Sequence, residues 1–70
     1  MQKSELDVLV QFKEKTHRIT VDEGSNYEQL VRALMLNPEE VLIFVDGIST
    51  PSDEQVKPGK VRIVKIVSGG

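Results

Sequence analysis

The chain has 70 residues, 39% of them hydrophobic, no cysteine and a formal net charge of −2 at pH 7. This length predicts one domain, and the lack of cysteine excludes disulfides and thiolate metal sites. The negative charge argues against direct nucleic-acid binding, which depends on basic side chains that neutralise phosphates. No apolar stretch approaches the ~20 residues of a membrane span, and Glu5 and Asp7 interrupt any signal-peptide core. We therefore expect a cytoplasmic monomer without membrane contact.

Two strands open the chain. Apolar residues alternate with a period of two from Leu6 to Phe12 and again from His17 to Val21, which predicts half-buried strands. The polar link between them, Lys13 to Lys15, is too short for a parallel crossover. The two strands are therefore predicted to form an antiparallel hairpin.

A helix follows Gly24. Ser25 and Glu28 have the spacing of a capping box, and Pro38 disfavours helical geometry at Asn37. We expect the helix to end near residues 35–37. Its apolar positions are spaced i, i+3, i+4 and i+7: Tyr27, Leu30, Val31 and Leu34.

Three more strands are predicted in the second half. The apolar run Val41 to Val45 is followed by Asp46-Gly47, a strong signal for a type I′ hairpin turn. Residues 48–50 form the return strand, which Pro51 ends. An irregular connection over residues 52–59, with Val56 as its anchor, leads to the last strand, Val61 to Val67.

The order strand, strand, helix, strand, strand, strand predicts an α+β fold, in which one helix covers one face of a mixed sheet. This is the β-grasp arrangement. Since successive side chains of a strand alternate between faces, one parity of each strand should meet the helix. The predicted core is Leu6, Val8, Val10, Phe12, Ile19, Val21, Leu30, Leu34, Val41, Ile43, Val45, Val61 and Ile63.

Three stretches carry a resemblance to a known family: "LVRAL" in the helix, "NPEEVLIFVDG" at the third strand and "VRIVKIVSGG" at the end. A β-grasp chain whose last strand runs into Gly69-Gly70 resembles the ubiquitin-like and sulfur-carrier proteins, and most of all the small archaeal modifier proteins. The segment Ile66-Val67-Ser68 departs from the Pro-Pro of molybdopterin carriers and from the arginines of ubiquitin. The resemblance covers the whole chain and divides it into a domain, 1–67, and a flexible tail, 68–70.

The resemblance implies that the protein is not an enzyme and binds no cofactor. A partner adenylating enzyme would use ATP to activate the carboxylate of Gly70, and glycine suits a tail that enters a narrow active site because it has no Cβ. The product would be a thiocarboxylate, for sulfur transfer to an acceptor enzyme, or an isopeptide bond to a target-protein lysine. The resemblance leaves open which of these uses applies and whether the pathway is tRNA thiolation, molybdopterin or thiamine synthesis.

Another class of function is also open. Many β-grasp domains only bind partners non-covalently, and a fold does not determine a function. Gly69 and Gly70 would then form an inert tail. A free-standing enzyme is disfavoured because the sequence shows no acid–base or nucleophile set, and His17, in phase with Ile19 and Val21, has no evident catalytic partner.

Two further sets of residues are candidate contact sites. Parity predicts an outward patch that docks the activating enzyme or a reader, although long stems such as Arg18 and Lys65 could instead cover it. The patch is Leu9, Leu42, Phe44, Val64 and Ile66. Candidate acceptors for another copy of the protein are Lys3, Lys13, Lys15, Lys57, Lys60 and Lys65, of which Lys57 and Lys60 flank a Pro-Gly turn and should be most accessible.

Overall fold

A computed structural model describes residues 4–66 of the chain. The predicted tail, with Gly69 and Gly70, lies outside the described residues, as do Lys3 and Val67. The elements run in the predicted order: β1 (Glu5–Phe12), β2 (Lys15–Asp22), α1 (Tyr27–Ala33), a 3₁₀ turn (Pro38–Glu40), β3 (Val41–Val45), β4 (Ile48–Thr50) and β5 (Lys60–Lys65). The predicted β-grasp, α+β fold is confirmed.

The five strands form one mixed sheet with the order β2-β1-β5-β3-β4. β5 lies at its centre, parallel to β1 and antiparallel to β3. Both tight turns use backbone with positive φ, at Lys13-Glu14 (51° and 63°) and at Asp46-Gly47 (51° and 82°). Two consecutive residues with positive φ define the type I′ turn, whose twist matches that of the paired strands.

The core lies between α1 and one face of the sheet. Every predicted core residue is either buried or partly buried against the core cluster, so the strand parity is confirmed. Val56 is 3% exposed and anchors the connection between β4 and β5, as predicted. The buried side chains of Tyr27 and Val31 complete the cluster from the helix.

The helix begins one residue later than predicted. Asn26, not Ser25, is the N-cap: its side chain accepts from the Gln29 N–H at 3.0 Å, and the Gln29 side chain accepts from the Asn26 N–H at 3.0 Å. The backbone of Ser25 is already used, since its N–H donates to Asp22 and its C=O accepts from Val56. The capping box is therefore Asn26 with Gln29, and the predicted box of Ser25 with Glu28 is wrong.

The helix also ends earlier than predicted, at Ala33. Met35 has a φ of 61°, and its N–H bonds the Arg32 carbonyl while the Leu36 N–H bonds that of Val31. This is the Schellman arrangement that stops a helix. The last strand likewise ends at Lys65, before the predicted boundary.

Candidate functional site

The C-terminal end of β5 is held at a defined place in the sheet. Lys65 lies opposite Val41, the first residue of β3, and the Ile66 N–H donates to the Glu40 carbonyl at 2.7 Å. On its other side β5 pairs with β1 from Lys60 to Arg62, so the last residues of β5 are held through β3. The predicted reactive residues Gly69 and Gly70 follow this anchor but are not among the described residues.

The outer face of the sheet, which we define as the face opposite α1, carries the predicted apolar patch. Leu9, Leu42, Val64 and Ile66 are each between 37% and 46% exposed, and Phe44 is half-buried. Leu42 lies directly opposite Val64 on the neighbouring strand, so the apolar side chains of β3 and β5 meet at this pair. Its use as a docking surface stays a prediction.

Two cations of β5 lie between Leu9 on β1 and the apolar side chains on β3. Lys60 lies beside Leu9 and Arg62 lies opposite Phe44, and both side chains line the same shallow groove as Leu42 and Val64. Among residues 4–66, neither cation forms a salt bridge. The patch therefore offers apolar contact together with positive charge.

The two long stems that were expected to cover the patch lie on opposite faces of the sheet. Arg18 is held by Asp7, with 2.9 Å between its Nη2 and the carboxylate Oδ2. Lys65 shares the parity of Val61 and Ile63, whose side chains point toward the core rather than outward. Lys65 therefore lies on the inner face, whereas Arg18 lies directly opposite Leu9 on the outer face.

Asp7 is a feature that the sequence interpretation missed. Besides Arg18, its carboxylate accepts a hydrogen bond from the Thr20 hydroxyl at 2.8 Å. The hydrogen bond from Thr20, followed by that from Arg18 and the charge of Arg18, lowers the pKa of Asp7. The register contained the signal, because a two-residue turn at Lys13-Glu14 places Asp7 directly opposite Thr20.

The candidate acceptor lysines within the described residues are all exposed. Lys57 is fixed through its backbone, since its N–H donates to the hydroxyl of Tyr27 at 3.1 Å. Lys60 opens β5, and its carbonyl accepts from the Asp46 N–H at 3.3 Å. Both lysines therefore extend from backbone that is held by hydrogen bonds, one on each side of the Pro58-Gly59 turn.

His17 is half-buried on β2, opposite Val10. The part of the chain from residue 4 to residue 66 contains no cluster of three or more His, Asp or Glu side chains that could hold a metal ion. Within the same span no helix has the length and apolarity that a membrane crossing requires.

Comparisons with known proteins agree with this geometry. A family model described as small archaeal modifier protein 2 matches residues 5–67. The chain is 39% identical over 57 residues to small archaeal modifier protein 2 of Haloferax volcanii, a match that covers 81% of this chain and 86% of that protein. It is 34% identical over 61 residues to an uncharacterized protein of Archaeoglobus fulgidus, with 87% and 90% covered.

A solved structure has the same fold. The solution structure of the N-terminal ubiquitin-like domain in the 4931431F19Rik protein aligns with a TM-score of 0.74, covering 94% of this chain and 79% of that one. At 17% sequence identity this likeness shows the ubiquitin-like fold alone.

Proposed function

Since the chain belongs to the small archaeal modifier protein 2 family of ubiquitin-like modifiers, we propose that its reactive group is the terminal carboxylate of Gly69-Gly70. The family match carries this proposal, because it spans the fold from β1 to one residue beyond the Ile66 anchor. The protein then serves as the carried group and not as the enzyme. We propose both protein modification and sulfur transfer as its uses.

The proposed chemistry begins on a partner adenylating enzyme. The carboxylate of Gly70 attacks the α-phosphate of ATP, pyrophosphate leaves, and an acyl-adenylate forms. A sulfur nucleophile then displaces AMP to give a thiocarboxylate, or a cysteine thiol of the partner gives a thioester. A lysine amine that attacks the thioester expels the thiol and forms an isopeptide bond. The thiol must come from the partner, because this chain has no cysteine.

We propose that Gly69 and Gly70 serve activation and not folding, because residues without a side chain cannot pack into a core. Deletion of Gly69 and Gly70 should therefore change the free energy of unfolding by less than ~0.5 kcal/mol, as for changes away from packed features. The same deletion should abolish activation.

The test combines the purified chain with its host's adenylating enzyme, ATP and sulfide, followed by intact-mass measurement. The untreated mass first establishes that Gly70 carries the terminal carboxylate. Conversion should then add the mass difference of one oxygen-to-sulfur exchange, and Gly70→Ala should react more slowly if the active site excludes a methyl group. If the chain without Gly69 and Gly70 is activated at the wild-type rate, the proposal fails and a non-covalent binding module explains the protein better.

The outer-face patch is the proposed docking surface for the activating enzyme. Leu42→Glu and Val64→Glu each place a negative charge among the exposed apolar side chains of the patch. The two positions lie directly opposite each other on β3 and β5. Each should raise the KM of the activating enzyme for this protein while leaving its fold intact. Ile48→Glu is the matched control, because Ile48 is 70% exposed on β4 and lies outside the patch. Equal KM values for all three variants would remove the docking role.

The proposed acceptors for a second copy of the protein are Lys57 and Lys60. Mass spectrometry of conjugates from the native host should find a branched Gly-Gly remnant on one of them, and substitution of that lysine by arginine should shorten the conjugates. Remnants on target proteins but on no lysine of this chain would leave modification intact and exclude chain formation.

A further inference from the structure

The two edges of the sheet differ in length and protection. β4 is a three-residue edge strand that Pro51 follows, whereas β2 is an eight-residue edge strand. A long edge presents a row of backbone donors and acceptors on which another strand can pair. β2 is therefore the edge at which the sheet can be extended.

The hydrogen bonding of β2 shows which backbone groups point away from β1. The Glu23 N–H donates to the Ser4 carbonyl at 2.8 Å, and bonded residues alternate along an antiparallel strand. Residues 15, 17, 19 and 21 therefore bond to β1, in agreement with the two-residue turn that closes at Phe12 and Lys15. The N–H and C=O groups of Thr16, Arg18 and Thr20 point outward, and no hydrogen bond described for residues 4–66 uses them.

Pairing of β2 with β2 of a second copy is limited to a few registers. Directly opposite residues must lie on the same face of the joined sheet, so both must be odd-numbered or both even-numbered. The midpoint between two such residues is itself a residue, and the two-fold axis therefore passes through a residue. An axis at Arg18 sets two guanidinium groups directly opposite each other, which is unfavourable. An axis at Thr20 pairs only residues 17–23.

An axis at Ile19 gives the most complementary pairing: it joins residues 16–22 of the two β2 strands and sets Lys15 opposite Glu23, the residue that follows β2. Lys15 then lies opposite Glu23 of the second copy, which pairs opposite charges. Arg18 lies opposite Thr20 of the second copy and diagonal to two residues, Asp22 and the second Arg18, and each Arg18 is bound by the Asp7 of its own chain. Ile19 meets its own equivalent at the centre. Ile19 and Val21 are only partly buried against the core, so this register also covers their remaining apolar surface.

The charge that would usually protect such an edge is neutralised at its centre. Edge strands often resist pairing through lysine or arginine side chains. Here the guanidinium of Arg18 is bound by the Asp7 carboxylate at 2.9 Å. The middle of β2 is thus left without an unpaired charge.

We propose that β2 is a self-pairing edge, on which a second copy of this chain binds antiparallel in the register centred on Ile19. The joined sheet has ten strands, with both outer-face patches on one side and both helices on the other. This arrangement presents two docking patches to a partner at once. The contact is small and belongs to the weak class, so the expected dissociation constant is on the order of 0.1–1 mM.

Cysteine cross-linking tests the register directly, because the chain has no cysteine of its own. Ile19→Cys places two thiols at a pair whose Cα atoms are ~4.5 Å apart, within disulfide range. At high protein concentration this variant should form a disulfide-linked dimer faster than Arg18→Cys, Thr20→Cys or the control Ser49→Cys near the other edge. Fastest linkage of Arg18→Cys or Thr20→Cys, or no difference from Ser49→Cys, overturns the proposed register.

A charge exchange provides a second test that does not depend on the partly buried position 19. Lys15→Glu and Glu23→Lys should each weaken the dimer about tenfold in sedimentation equilibrium, since two symmetric attractive pairs become repulsive. The double variant, with the same net charge as wild type, should restore the dissociation constant. Failure of the double variant to recover, or unaltered association of the single variants, overturns the pairing.

Proline substitution tests the backbone contribution. Thr16→Pro removes one outward N–H and leaves the bonds to β1 untouched, whereas Thr16→Ala keeps that N–H. Only the proline variant should lose self-association, and equal association of the two variants overturns strand pairing as its cause. Each of these experiments can fail without affecting the activation of Gly70.

Discussion

Met35 offers a sharp test of how the helix ends. Its φ is 61° and its side chain is 94% exposed, so replacement changes the backbone preference and removes almost no packing. Left-handed backbone costs a residue with a Cβ about 1–2 kcal/mol, and glycine avoids this cost. Glycine also gains freedom in the unfolded chain, which offsets about 0.4–1 kcal/mol. Met35→Gly should therefore be about 0.5–1 kcal/mol more stable than Met35→Ala.

Urea denaturation measures this difference as a shift in midpoint at constant m-value. In thermal unfolding, the same difference in stability corresponds to a Tm that is about 2–8 °C higher for Met35→Gly, in a domain of this size. Arg32, exposed within the helix, is the matched control: Arg32→Gly should be about 1 kcal/mol less stable than Arg32→Ala. If Met35→Gly is also less stable than Met35→Ala, the left-handed conformation assigned to Met35 is wrong.

Three other substitutions have outcomes that follow from the structure. Leu30→Ala should lose about 2–5 kcal/mol because Leu30 is fully buried, and Leu34→Ala should lose less because Leu34 is half-buried; equal losses in denaturant titration would contradict the helix orientation. Tyr27→Phe should cost about 1 kcal/mol by leaving the Lys57 N–H without its acceptor, and an unchanged urea midpoint would mean that this bond contributes nothing. The lowered pKa of Asp7 adds stability that is present above the unfolded value of ~3.9 and is lost as the pH falls through the folded value. Asp7→Asn should therefore make the loss of stability below pH 4 less steep, and identical slopes for the two proteins would contradict the lowered pKa.

Much of the fold could be predicted because its signals are local. The alternation in β1, the unbroken apolar run of β3 and the Asp46-Gly47 turn each specify an element within a few residues. The parity of β3 then predicted that Leu42 is exposed while Ile43 is buried, and the structure confirms both.

The incorrect predictions concern competition for backbone groups between distant segments. Ser25 has the right side chain for a cap, but its carbonyl accepts from Val56, thirty-one residues later, at 2.7 Å. The next polar residue, Asn26, therefore becomes the cap. The left-handed cap at Met35 gave no sequence signal, because methionine lacks the conformational preference that marks glycine or asparagine at this position.

The central position of β5 has a mechanical consequence. Any load attached at the C-terminus pulls along β5, which is hydrogen-bonded to β1 on one side and to β3 on the other. A pull along paired strands shears their hydrogen bonds together rather than opening them one at a time. We therefore expect that a pulling force applied at the C-terminal end must be much larger to unfold this domain than a force applied at β4. β4 is short and paired on one side only.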